Sequence, residues 1–256
     1  MRLLEVKDLK TYFTTSKGKA KAVDGVSFSL DYGQCLGLVG ESGCGKTTTA
    51  LSICHLLPKE GKVESGQILM EGIDYGTLSE EEIMKHRWED VSIIFQGAMN
   101  AFNPVKKVGW QIAEACILHQ GMSKEEAWKR AGDLFEMVGI ARERVSQYPH
   151  EFSGGMKQRA MIAMALACNP KLIIGDEPTT ALDVMIQAQI LELLEKLRKE
   201  LNMGMILITH DLSILSETCD KIAVMYAGKI AEMGTVDDIF NHPMHPYTQA
   251  LLSAVP

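Results

Sequence analysis

No run of apolar residues in this sequence is long enough to cross a bilayer as a helix. The longest near-continuous one, residues 160–168, falls far short of the roughly 20 that a span requires. The first residues are charged and strand-like and carry no signal-peptide core, so the expected molecule is soluble and meets a membrane only through a partner. An excess of basic residues is lacking as well. A net charge of -7 leaves no surplus of cations to displace the counterions of a polyanion, which argues against nucleic acid as a partner. The one basic cluster, Lys17, Lys19 and Lys21 around Gly18, reads as the solvated turn of a hairpin. No two of the cysteines, Cys35, Cys44, Cys54, Cys116, Cys168 and Cys219, form a C-x-x-C pair, and most sit inside apolar runs. They read as small hydrophobes of a reduced compartment rather than a disulfide frame or a zinc site, and only Cys44 is expected to stand out chemically. Repeats, low-complexity tracts and long linkers are also missing.

What is present is an ordinary globular composition, 46% hydrophobic and 23% charged over 256 residues, enough for one sizeable α/β domain with an inserted subdomain. Its most informative string is Gly40-Glu41-Ser42-Gly43-Cys44-Gly45-Lys46-Thr47, which fits G-x-x-x-x-G-K-[ST], a loop that holds nucleotide phosphates. The context fits: Cys35-Leu36-Gly37-Leu38-Val39 reads as a buried strand, and residues 48–57 read as a helix ended by Pro58. Glycines at 40, 43 and 45 let backbone N–H groups converge on a phosphate at the positive end of the helix. Lys46 is expected to reach the β- and γ-phosphates and the Thr47 hydroxyl to coordinate Mg2+, with Ser42, Cys44 and Thr48 completing the loop.

Around this loop the pattern alternates. Short β-type runs fill residues 3–30, and 63–70 and 91–95 look like further strands. Between about residues 97 and 148 the periodicity becomes helical, with Ser123 and Glu126 spaced as a capping box. Strand signals return at 172–174, 205–208 and 223–225. A helix over 184–201 lies between the first two, with Glu192/Lys196 and Glu195/Lys199 pairs and Gly204 just past its end. Alternating strands and helices imply a parallel sheet core.

Leu172-Ile173-Ile174-Gly175-Asp176-Glu177 is an apolar strand ending in two carboxylates, at the sheet edge where phosphate loops open. Asp176 is suited to hold Mg2+ and Glu177 to orient and deprotonate an attacking water. Phe152-Ser153-Gly154-Gly155-Met156 supplies a third string: Ser153 is a good N-cap, and the paired glycines leave the helix N-terminus bare to an anion. His242 and His245, set among prolines that break helical register, read as a structural C-terminal loop rather than a metal pair.

Together these strings resemble the ABC ATPases, whose signature usually reads L-S-G-G-Q; here Phe152 and Met156 flank the matching Ser153-Gly154-Gly155 core. The resemblance covers the chain and implies a P-loop NTPase with a RecA-like parallel core, an N-terminal antiparallel β subdomain and an inserted α-helical subdomain. The core falls at about 1–97 and 160–240, the helical subdomain at about 98–159 and a tail at 241–256. It also implies that Gln96 touches Mg2+ or the lytic water, that His210 hydrogen-bonds the γ-phosphate, and that Thr180-Ala181-Leu182-Asp183 is the loop after the carboxylates. Phe13 is expected to stack on adenine, with Tyr12 as the alternative. In a head-to-tail dimer, Ser153, Gly154 and Gly155 of one subunit would cap the γ-phosphate bound at Lys46 of the other.

Tyr148-Pro149-His150-Glu151, the run 176–184, Val224-Met225-Tyr226-Ala227-Gly228 and His245-Pro246-Tyr247-Thr248 resemble the D-type ATPases of dipeptide, oligopeptide and nickel importers. The resemblance implies transmembrane permease subunits, a second ATPase subunit of F type or a copy of this chain, indirectly a solute-binding protein, and a peripheral place on the cytoplasmic face of the cell membrane. D-type members usually continue beyond the His-Pro-Tyr-Thr segment, and this sequence ends at Pro256. The segment 96–104 is where the family receives the permease, so Ala98, Met99, Ala101 and Phe102 are expected to be partly exposed, with Phe102 the anchor. The competing reading is a soluble, non-transport ABC ATPase; those of translation or DNA repair carry two cassettes or long coiled-coil arms, and this sequence has neither. A small-molecule kinase would account for the phosphate loop but not for Ser153-Gly154-Gly155.

Overall fold

The computed structural model describes residues 1–97, 101–180 and 182–254. In chain order the elements are β1 (Arg2–Thr15), β2 (Gly18–Asp31), β3 (Cys35–Val39), α1 (Lys46–Ile53), β4 (Gly61–Met70), β5 (Ile73–Asp74), α2 (Glu80–His86) and β6 (Val91–Ile94). They continue with α3 (Val108–Gln120), α4 (Lys124–Met137), α5 (Gly154–Ala165), β7 (Leu172–Asp176), α6 (Val184–Leu201), β8 (Gly204–Ile208), α7 (Leu212–Thr218), β9 (Lys221–Tyr226), β10 (Lys229–Thr235), α8 (Val236–Asn241) and α9 (Pro246–Ser253). Two compact units result, one of residues 1–83 with 204–256, the other of 84–203.

In the first unit β1 pairs antiparallel with β2 and β4, and β4 with β5. The Lys/Gly turn closes as expected: Thr15 pairs with Gly18, leaving a two-residue hairpin loop. Lys19 reaches Glu64 at 2.7 Å and Lys21 reaches Asp24 at 3.7 Å, so the basic cluster is a set of exposed side chains, two of them ion-paired. The second group of strands places β3 between β8 and β9, parallel to both, with β10 antiparallel on β9. All five residues of β3 and of β8 are buried, as continuous apolar runs require when both faces are covered. Helix α1 ends at Ile53, four residues earlier than expected. His55 turns left-handed at φ 52°, which stops the helix before Pro58 is reached.

In the second unit β6 and β7 pair in parallel, and α3 and α4 pack through Ile112, Cys116, Ala131, Leu134 and Phe135, all fully buried. The capping box forms: Glu126 N–H donates to Ser123 Oγ at 3.2 Å and Ser123 N–H to the Glu126 carboxylate at 2.9 Å. Helix α6 starts on Asp183, whose carboxylate accepts from Ile186 N–H at 3.0 Å, and carries the Glu195–Lys199 pair at 2.5 Å. Its bounds, Val184–Leu201, are those read from the sequence. Asn202, left-handed at φ 49°, is the cap, and Gly204 already belongs to β8.

The C-terminal segment is another correction. Pro246 does not break a helix but opens α9 at the first helical position, where its missing N–H costs nothing. All six cysteines are free thiols. Cys44 is not alone in being conspicuous, since Cys35 Sγ lies 3.2 Å from Cys219 Sγ. Among the described residues no helix is long and apolar enough to cross a membrane.

Candidate functional site

In the first unit the chain leaves β3 at Val39 and enters α1 at Lys46 through Gly40, Gly43 and Gly45, all at positive φ. A side chain at Gly45 is impossible, since its Cβ would fall 2.3 Å from the Ala22 carbonyl oxygen. Lys46 is 7% exposed, and its ammonium donates to the carbonyls of Gly40 at 2.7 Å and Glu41 at 2.9 Å. Among the described residues no carboxylate pairs with it. Its remaining contact is the Cys44 sulfur at 3.7 Å; a buried cation resting on backbone dipoles and a thiol is incompletely compensated, and an anion is the group that would complete it. Helix geometry adds to this, because the first-turn N–H groups of α1, at Lys46, Thr47 and Thr48, have no intrahelical acceptor. Thr47 is exposed. The loop therefore fits a phosphate chain by charge, by donors and by shape.

His210 follows β8, the parallel neighbour of β3, and is exposed; Thr209 N–H donates to the Leu38 carbonyl at 3.3 Å, which sets His210 at the edge where the loop begins. Tyr12 and Phe13 lie on opposite faces of β1. The Tyr12 phenol donates to Asp24 at 2.5 Å, which pushes it up to about 12 and holds the Asp24 carboxyl below its usual range. Phe13 is half-buried against the bare backbone of Gly61, whose Cβ would fall 2.9 Å from its ring.

In the second unit β7 ends in Asp176, 5% exposed, and Glu177 takes a left-handed backbone at φ 49°, an uncommon state for a residue with a side chain. The Glu177 carboxylate accepts from the Gln96 side-chain amide at 2.9 Å and from the Thr180 hydroxyl at 2.9 Å. Two residues read separately from the sequence, Gln96 and Glu177, thus meet. Thr180 was read only as part of the following loop; its three-residue spacing from Glu177 was the available signal. Ala181 lies outside the described residues.

Ser153 caps α5 as expected, accepting from Met156 N–H at 3.3 Å, and Ser153 is exposed with Gly154 and Gly155 half-exposed. Gly155 is required by close approach: a Cβ there would fall 2.9 Å from Ile186 of α6. Phe152, the departure from the usual signature, is buried edge-on against Phe135 with ring centroids 6.0 Å apart.

Phe102 corrects the sequence reading. It is 6% exposed, a core side chain rather than an exposed anchor, while Ala101 is exposed and Ala98 and Met99 lie outside the described residues. Phe102→Asp is therefore expected to unfold rather than to uncouple. Losing the ring costs about 3–5 kcal/mol before the buried charge is counted, and a thermal melt should fall by on the order of 10 °C. What this stretch exposes instead is Val105, at 79%. Lys106 and Lys107, which follow it in sequence, line a shallow depression of about 380 Å3 with Trp110, Trp128 and Tyr148.

Residues 23–180 match the family described as ABC transporter, and residues 231–256 match the oligopeptide/dipeptide transporter C-terminal region. The chain is 54% identical to the oligopeptide transport ATP-binding protein OppD of Bacillus subtilis (strain 168), over all of this chain and 72% of that one. It is 51% identical to the dipeptide transport ATP-binding protein DppD of the same organism, covering 100% and 77%. Among solved structures it is similar to the ATP-binding cassette MJ0796, dimeric and bound to ADP and Pi, with TM-score 0.81, 27% identity and coverage of 91% and 99%. It is also similar to cbiO1 from Clostridium perfringens, part of the ABC transporter complex cbiONQ, with TM-score 0.80, 30% identity and coverage of 94% and 91%.

Proposed function

Because this chain belongs to the ABC transporter family, we propose that it binds ATP on the loop at residues 40–48 and hydrolyses it to drive uptake of peptides, or of a related solute such as a nickel chelate, through membrane-spanning partner subunits. The observation that carries this reading is Lys46, a buried ammonium held on backbone carbonyls without a carboxylate partner among the described residues. A chain of phosphates supplies the missing charge, and Lys46 meets the β- and γ-phosphates while Gly40, Ser42, Gly43, Cys44, Gly45, Thr47 and Thr48 surround them. Phe13 stacks on the adenine and His210 donates to the γ-phosphate. Thr47, Asp176 and Gln96 carry the oxygen donors that would hold Mg2+, which would supply positive charge against the phosphates. Glu177 accepts the proton of the attacking water, and its bonds from Gln96 and Thr180 hold the carboxylate in one orientation.

Ser153, Gly154 and Gly155 of a second ATPase subunit, an F-type relative or another copy, cap the γ-phosphate from outside. In a mixed dimer, Ser153→Arg on one chain is expected to abolish photoreactive ATP labelling of the other chain's loop and to spare its own, because added bulk and charge obstruct the helix N-terminus. Equal loss on both chains would argue against the head-to-tail arrangement. The chain works on the cytoplasmic face of the cell membrane, where exposed Val105 and the aromatic depression lined by the next residues, Lys106 and Lys107, take the permease-facing role first read for Phe102. Isolation from detergent-solubilised membranes should bring down permease subunits and a second ATPase. Recovery of the chain with ribosomes or DNA, and no membrane subunit, would return the soluble-ATPase reading.

A further inference from the structure

The phosphate loop is gripped from outside by a residue near the other end of the chain. The peptide group joining Gly40 and Glu41 gives its carbonyl to the Lys46 ammonium at 2.7 Å and its N–H to the Tyr247 hydroxyl at 3.1 Å. In a trans planar peptide these two groups point in opposite directions, so fixing one fixes the other. Glu41 is held a second time at its own carbonyl, which accepts from Lys46 at 2.9 Å and from Cys44 N–H at 3.2 Å.

The Tyr247 hydroxyl is itself firmly placed. Its ring lies against Tyr226, the last residue of β9, with centroids 4.6 Å apart and planes at 49°. Its N–H donates to His245 Nδ1 at 3.1 Å, and Pro246 starts the helix rigidly. Glu232 of β10 clamps the segment just before it, accepting from Met244 N–H at 2.8 Å and His245 N–H at 3.0 Å. Burial opposes the charge of Glu232, yet the Thr248 hydroxyl and these two amides outweigh it and hold the carboxyl below its usual range.

We propose that Tyr247 is a positioning residue of the nucleotide site: its hydroxyl sets the tilt of the 40–41 peptide and, through that carbonyl, the seat from which Lys46 meets phosphate. This rests on the ATP-binding reading of the loop. Without the hydroxyl the peptide can rotate, and Lys46 is presented in a spread of positions instead of one.

Tyr247→Phe keeps the ring on Tyr226 and removes only the acceptor, so packing and positioning separate. Calorimetric titration of the full chain with ATP should show affinity weakened about five- to tenfold, the size of one ordinary hydrogen bond. In nucleotide-free protein the Glu41 amide should exchange with solvent roughly tenfold faster, while the melting temperature falls by no more than about 5 °C, the worth of that one bond. Wild-type ATP affinity together with unchanged Glu41 exchange would overturn the proposal, and so would a fall in melting temperature that accounts for the lost affinity. Lys46→Ala is the control. If it loses ATP affinity and Tyr247→Phe does not, the positioning role alone fails; if neither variant loses affinity, the phosphate-loop reading fails and takes this proposal with it.

Discussion

Replacing Glu177 with Gln is expected to leave ATP binding intact and to lower turnover by about 10²–10⁴-fold, the usual worth of a general base. The amide keeps the size of the side chain and one oxygen for the Gln96 and Thr180 donors, which now bond that carboxylate at 2.9 Å each. It has no basic lone pair with which to take a proton from water. Ground-state binding and chemistry therefore separate, and the ATP-bound dimer should persist long enough to isolate by gel filtration. The left-handed backbone at Glu177 makes Gln a safer substitution than a β-branched residue, which would meet a strained φ. A variant that turns over ATP near the parent rate would remove Glu177 from the role of base.

Lys46→Ala is expected to fail one step earlier. It deletes a charge-assisted contact to two phosphates, and a loss of about 3 kcal/mol, or roughly 100-fold in Kd, is the scale for such hydrogen bonds. The deletion also leaves the Gly40 and Glu41 carbonyls without the donor that now joins them. Folding should change little in the nucleotide-free protein, because removing a buried, carboxylate-free ammonium relieves a desolvation cost while it opens a small cavity. Equilibrium titration with ATP reads the effect directly, and an unchanged Kd would sink the assignment.

The features legible in the sequence are those whose causes are local. The strand into the phosphate loop, the Ser123/Glu126 box, the Ser153 cap and the helix over 184–201 each depend on residues close in sequence, and each appears where the sequence placed it. The end of α1 was misplaced because Pro58 is a louder signal than His55, although a left-handed His stops a helix as effectively. Strand β10 was missed because its residues are all exposed or half-buried and, among the described strands, its backbone pairs with β9 alone, so no clean period of two shows. Phe102 was misread because an aromatic in a loop gives no sign of which way it faces; only the surrounding helices decide that it is core. The bond between Glu41 and Tyr247 spans 206 residues and has no local signature at all.

That separation has a consequence for how the molecule is made. The turn after β9 reaches back to the loop as Tyr247 does: Gly228 donates its N–H to the Cys44 carbonyl at 2.9 Å and accepts from Asp24 N–H at 2.8 Å. Residues 40–46 leave the ribosome early, but the groups that brace them arrive about 180–200 residues later, at roughly 5–20 residues per second. During that interval the nascent chain carries the motif without the geometry. Closing so long a loop is slow, so nucleotide competence should appear abruptly near the end of synthesis rather than when the glycine-rich string emerges.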